Sequence, residues 1–252
     1  MTMSDLPHSN ESDTAAAAAI DSETQSCKAA GRPRATDMEA RNQNLLETAG
    51  QLFIEKGYSK VSLEMIAREA HVAVRTIYVK FGGKAGLFNA VIASGRSRYF
   101  PIADLDTDQR PLEQVLGEFG LQLLQLLSQP HVVRLQRMVI AEAGSNPELA
   151  RTFDQAGPGL TRELLNRFFA RADIKVHFRD DVPRDTLSTH LLNCIMGDRL
   201  NRLMFEPETE PSETELRHKV AQGLDLFFKG TLGRKLDIDG GIRAEALCVM
   251  PK

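Results

Sequence analysis

The sequence predicts an all-α protein in two helical parts, and three observations carry that prediction. Apolar residues recur at three- and four-residue spacing along most of the chain. Segments alternating with period two are scarce, and the best strand candidate, residues 175–179, is a poor one. Pro, Gly and Asn punctuate the apolar stretches at the places where helices must stop. The 252 residues, 42% apolar and 26% charged, are enough for one large domain or two small ones.

Residues 1–35 are rich in Ser, Thr, Asp, Glu and Ala without apolar periodicity, and read as a disordered extension. It ends in a short basic arm, Arg32-Pro33-Arg34, which Pro33 keeps out of a regular helix. Thr36 and Glu39 have capping-box spacing and predict a helix start, with Leu45, Ala49, Leu52 and Phe53 on its buried face and Gly57 at its end. Ser62 is a second cap, followed by Leu63, Ile66, Ala67 and Ala70 on one face. A break at His71-Val72-Ala73 leads into a helix over Val74–Phe81, which Gly82-Gly83 terminates, and Lys84 opens another that buries Leu87, Phe88, Val91 and Ile92. From about residue 93 the helices lengthen: 111–128, 132–143, one from Asn146-Pro147 to the break at Gly157-Pro158-Gly159, then 160–172, 183–205 and 212–230. The expected organisation is therefore 1–35, 36–92, 93–232 and a tail from 233 to 252.

Net charge is −3, which on its own argues weakly against a nucleic-acid partner. The charge is uneven, however. Residues 1–30 carry Lys28 against Asp5, Glu11, Asp13, Asp21 and Glu23, whereas residues 31–90 carry nine basic against six acidic side chains. A basic face in the N-terminal third is consistent with that distribution. Three cysteines without metal-ligand spacing (Cys27, Cys194 and Cys248) fit a reducing compartment. Without a signal peptide or a long apolar run, the expected location is the cytoplasm, with no membrane partner.

Residues 62–81 have the layout of a helix-turn-helix: a short helix, a turn of about three residues and a second short helix. Leu63, Ile66, Ala67, Val72 and Ile77 form its small core, and small Ala67 admits the second helix closely. That helix turns Arg75, Thr76, Tyr78, Val79 and Lys80 outward. A helix of this size fits the major groove, where Arg or Lys reads guanine and an aliphatic group touches the thymine methyl. The hydroxyls of Thr76 and Tyr78 suit phosphate oxygens, as does Lys84 at a helix N-terminus. A generic helical hairpin inside a bundle would show a similar apolar pattern, but it would not expose that set of donors.

The stretch Val61–Ala73, then Thr76-Ile77-Tyr78-Val79-Lys80-Phe81, then Lys84-Ala85-Gly86-Leu87-Phe88, resembles the N-terminal domain of TetR-type transcriptional regulators from about Arg32 to Ile92. The resemblance implies a recognition helix beginning near Val74 and phosphate contacts from Tyr78 and Lys84. The residues it implies for DNA binding are Arg32, Arg34, Ser62, Val74, Arg75, Thr76, Tyr78, Val79, Lys80 and Lys84. Three positions depart from the pattern: His71 stands for a turn glycine, Ala73 for a capping serine and Gly83 for a helix-start serine. The first two cost turn and cap stability.

Residues 134–143, followed by Pro147-Glu148-Leu149 and Gly157-Pro158, resemble the ligand-sensing domain of the AefR-like branch. That resemblance implies dimerisation through the last two long helices, with Leu187, Leu191, Ile195, Leu224 and Phe227 on their apolar faces; closing the monomer core is the alternative role. It also implies a small hydrophobic effector in the C-terminal bundle. The expected lining is Met138, Phe153, Phe168 and Met196, with Phe169 and Met204 near, and Arg134, Arg137 and Glu142 as orienting charges. The implied function is a homodimeric repressor on a near-palindromic double-stranded DNA operator.

Other chemistries find little support. Glu215-x-x-His218 is one half of a carboxylate-bridged di-iron motif whose second half is missing. No metal, cofactor or catalytic constellation is expected, and Cys194 reads as packing. A helical-bundle enzyme or metal protein, and a non-specific DNA-associating scaffold, remain the alternatives at this point.

Overall fold

The computed structural model describes residues 35–100, 105, 107–205 and 211–233, without the side chains of residues 35, 36, 99 and 200. Residues 1–34 of the extension, with Cys27, Arg32 and Arg34, and the tail beyond residue 233, with Cys248, lie outside that set; the backbone is already helical at Ala35, one residue before the cap expected at Thr36. Among the described residues twelve helices run in order: α1 Ala35–Lys56, α2 Leu63–Glu69, α3 Val74–Phe81, α4 Lys84–Tyr99, α5 Leu112–Leu127, α6 Pro130–Ala143, α7 Pro147–Ala156, α8 Pro158–Ala170, α9 Ala172–Lys175, α10 Arg184–Met196, α11 Arg199–Phe205 and α12 Glu213–Thr231. Among the described residues there is no strand, and one isolated bridge joins Phe178 to Leu232. The strand candidate at 175–179 is thus the end of α9 plus that bridge.

Two apolar cores organise these helices. The first gathers Leu45, Ala49 and Phe53 of α1, Ile66 and Ala67 of α2, Ile77 of α3, and Leu87 and Phe88 of α4. Phe53, Tyr58 and Phe88 pack as an aromatic trio with ring centroids 5.2–5.5 Å apart, a separation at which tilted and edge-on rings attract. Leu135, Met138 and Val139 of α6 and Leu149 of α7 enter the same core. The N-terminal unit therefore does not close on itself. The expected division between residues 92 and 93 falls inside α4, which runs unbroken across it.

The second core joins α5, α8, α10 and α12 through Leu116, Leu124, Phe168, Phe169, Leu187, Leu191, Ile195, Leu224 and Phe227. The helix expected over 183–205 is divided there. Gly197, at φ 53 and ψ −133, ends α10, and α11 restarts at Arg199. A side chain with a Cβ rarely adopts that conformation, so the break belongs to the glycine. Ser212 and Glu215 form a capping box at the start of α12. Glu215, half of the possible metal motif, is occupied in closing that helix end. Among the described residues no three metal-ligating side chains cluster.

Candidate nucleic-acid interface

The helix-turn-helix is built from local signals that the backbone obeys. Ser62 caps α2, its hydroxyl accepting from Met65 N at 3.2 Å. The helix closes with Val72 N donating to Ala67 O (2.9 Å) and His71 N to Arg68 O (3.4 Å), the pair of bonds that requires a left-handed residue between them. His71 fills that position at φ 55, the one non-glycine in this region among the described residues. Ala73 then starts α3 without a side-chain cap.

Ile77 is fully buried and anchors α3, while Val74 packs half-buried beside it. The opposite face is open. Arg75, Thr76 and Lys80 are exposed, Tyr78 is 55% exposed and Val79 78% exposed. The outer face of α3 thus carries two large apolar groups next to two cations and two hydroxyls. Such a face combines the chemical types that a DNA groove can accept: hydrogen-bond donors, an aliphatic group and cations.

Gly82 and Gly83 turn the chain from α3 into α4, and Gly83 offers no side-chain cap to the first amides of α4. Those N–H groups are therefore open to an anion. Gly86 sets how closely the two helices meet. A Cβ on it would lie 1.8 Å from Phe81 O, so the first turn of α4 rests on the last carbonyl of α3. Residue 86 stands in the motif read from the sequence, but no sequence signal separates this steric role from that of an ordinary helical glycine.

Lys84 stands half-buried at the start of α4. Its Nζ lies 4.3 Å from the centre of the Tyr58 ring, and burial pushes its pKa down against the pull of Glu142. Glu142 stands with Arg134, Arg137 and Met138 on the wall of an open cavity beside the end of α1, and its carboxylate is engaged there. From the end of α6 its carboxylate accepts Ser59 N at 2.9 Å and the Ser59 hydroxyl, across 83 residues of sequence. Burial raises its pKa, but the bonds from Ser59 and Tyr58 and the nearby Lys84 outweigh that and hold it below the ordinary carboxylate range. The group is a tie between the C-terminal helices and the loop that precedes α2.

A cavity of about 540 Å³ lies between α1, α4, α5 and α6. Of the expected lining, Arg134, Phe153 and Met196 stand on its wall. Phe168 is fully buried in the second core instead, whereas Met138 joins the first core and also lines the open cavity that Glu142 borders. Arg137 donates through Nε to Leu203 O at 3.0 Å, tying α6 to α11. The residues expected at a dimer interface are also displaced from it: Leu187, Leu191, Ile195, Leu224 and Phe227 are all buried within one chain. Their apolar periodicity marks the side facing α5 and α8, leaving His190 and Asn193 of α10 and Gln222 and Leu226 of α12 exposed. No described helix is long and apolar enough to cross a membrane.

An all-helical chain that presents a short donor-rich helix beyond a tight turn belongs to the helix-turn-helix class. Two family models agree. One, for bacterial regulatory proteins of the tetR family, matches residues 45–91, and one for the C-terminal domain of AefR-like transcriptional repressors matches residues 114–230. Together the matches span more than half of the sequence, and the chain belongs to the TetR family. It is 35% identical over 63 residues to the HTH-type transcriptional regulator SrpR of Pseudomonas putida, covering 25% of this chain and 30% of that one. It is 33% identical over 89 residues to the HTH-type transcriptional repressor BdcR of Escherichia coli (strain K12), covering 35% and 43%. The matched region thus spans less than half the length of these curated relatives. Among solved structures, the flavonoid-responsive regulator FrrA superposes with a TM-score of 0.61 at 26% identity, over 78% of this chain and 99% of that one. NalD, the secondary repressor of the MexAB-OprM multidrug efflux pump in Pseudomonas aeruginosa, gives 0.55 at 26% identity, over 79% and 100%.

Proposed function

We propose that the chain is a sequence-specific DNA-binding transcriptional regulator acting in the cytoplasm, a homodimeric repressor that leaves its operator when a small hydrophobic effector binds. The exposed face of α3 carries this reading. Arg75 is the base-reading residue, Val79 meets a thymine methyl, and Lys80, Tyr78 and Thr76 hold phosphates. Two-fold symmetry of a dimer makes the operator near-palindromic. Arg32, Arg34, Lys80 and Lys84 of each subunit neutralise up to eight phosphates per dimer, so log affinity falls against log salt with a slope of about −7.

Release works through α6. The same helix lines the cavity with His131, Arg134 and Leu135 and holds Ser59 through Glu142. An effector that moves α6 therefore moves the loop leading into α2. A hundredfold loss of operator affinity needs about 2.7 kcal/mol of difference in effector affinity between the two states. Arg75→Ala tests the DNA reading: its cost of about 1–3 kcal/mol should fall on one base position. An equal loss on all DNA sequences would instead point to non-specific association.

A further inference from the structure

We propose that the cavity between α1, α4, α5 and α6 takes an apolar acid, a small ring or chain bearing one carboxylate or similar oxyanion, and that Arg96 receives the acid group. The inference rests on the sensing role above and narrows it to one class of ligand. Much of the wall is apolar, with Leu46, Ile92, Leu123, Phe153, Leu192 and Met196. Arg96 is half-buried in that wall, its guanidinium carbon 5.1 Å from the centre of the Phe100 ring. Nη1 donates to Gly157 O at 3.2 Å and to Thr161 Oγ1 at 2.8 Å. Nη2 is buried and has no hydrogen-bond partner. A buried cation with an incomplete set of acceptors is costly, and an anion in the adjoining cavity lowers that cost through its charge.

The surrounding charges favour the same sign of ligand. Arg98 is paired with Glu47 at 2.7 Å and Arg162 with Asp154 at 2.8 Å. Arg96 and Arg134 add to a wall whose remaining carboxylate is Glu55. His131, on the same wall, has its pKa pushed down by burial and then by Arg134 and Arg98. An ammonium ligand would meet that positive field, whereas a neutral one would leave it uncompensated.

The test uses the full chain and three compounds with one ring system: 2-naphthoate, 2-naphthalenemethanol and 2-naphthylmethylammonium, titrated calorimetrically near neutral pH. The naphthoate should bind at least tenfold more tightly than the alcohol, and the ammonium most weakly. Arg96→Met should bring the acid to within about twofold of the alcohol. Thr161→Val, which removes a neighbour of Arg96 but keeps its charge, should retain the preference. Equal affinities, a preference for the ammonium, absence of binding by all three, or an acid preference that survives Arg96→Met would each overturn the proposal. The comparison on the unaltered chain needs no variant to fold. Anisotropy of labelled operator with the same compounds reads the sensing role separately. Release by the alcohol without acid preference would leave sensing intact and remove the acid site; acid binding without release would do the reverse.

Discussion

Replacing Gly86 by alanine adds one methyl group at the point where α4 rests on the end of α3. In an exposed helix interior that exchange ordinarily stabilises by about 0.5–1 kcal/mol, because glycine has more freedom to lose on folding. Here the new Cβ would sit 1.8 Å from Phe81 O and 2.9 Å from its carbonyl carbon. Reaching even 3.0 Å requires a withdrawal of about 1.2 Å, and the obstacle is backbone rather than a flexible side chain. Overpacking of this kind costs about 1–3 kcal/mol and sometimes more. Since 1 kcal/mol moves Tm by about 2–4 °C for a chain of 150–250 residues, Gly86→Ala should melt several degrees lower. Phe81 is the last residue of α3, so the shift also re-aims that helix, and, if α3 reads DNA as proposed, operator affinity should fall about tenfold or more. Gly95, on the same helix, has nothing within 4 Å of its would-be Cβ. Gly95→Ala should melt about 1–4 °C higher with DNA binding unchanged. Thermal unfolding and operator titration of both variants decide the matter. If Gly86→Ala were as stable as Gly95→Ala and bound DNA normally, the claim that this contact positions α3 would be wrong.

Three further predictions concern the turn, the tie and the second core. His71→Gly relieves a side chain held at φ 55 and should stabilise by about 0.5–1 kcal/mol, read by denaturant titration; an unchanged midpoint would mean that histidine is not strained there. Glu142→Gln should lower Tm by weakening the bonds to Ser59, an exposed site that limits the cost to about 1 kcal/mol. The folded pKa of Glu142 is depressed, so its contribution is full above the unfolded carboxylate pKa and lost as pH falls through the folded value. The gap between the two proteins should thus close in acid, and a gap that widened would contradict the assignment. Leu224→Ala should cost about 2–5 kcal/mol in protomer stability, whereas Leu226→Asp should leave that stability nearly intact and weaken self-association in sedimentation; reversed outcomes would return Leu224 to an interface.

Much of the recognition unit was legible because local chemistry determines it. The Ser62 cap, the Gly82-Gly83 stop and the spacing of Leu63, Ile66 and Ile77 define α2 and α3 without distant partners. The family resemblance added the roles proposed for the exposed side chains. The C-terminal half was less legible. Apolar periodicity marks which stripe of α10 and α12 is buried, but not whether α5 or a second chain buries it, so Leu187 and Leu224 fit either role. A lone glycine is tolerated in many helices, which concealed the break at Gly197. Arg96 and Glu142 take their meaning from partners 61 and 65, and 83, residues away, and no periodicity encodes such contacts.

The central claim is that α3 reads a specific DNA sequence. Selection of genomic fragments by the purified protein, followed by sequencing of what it retains, tests it most directly when run beside a double variant carrying Arg75→Ala and Lys80→Ala. Enrichment of one or a few near-palindromic sites, abolished in the variant, is the expected result; retention of fragments with no shared site, equal in both proteins, would contradict it.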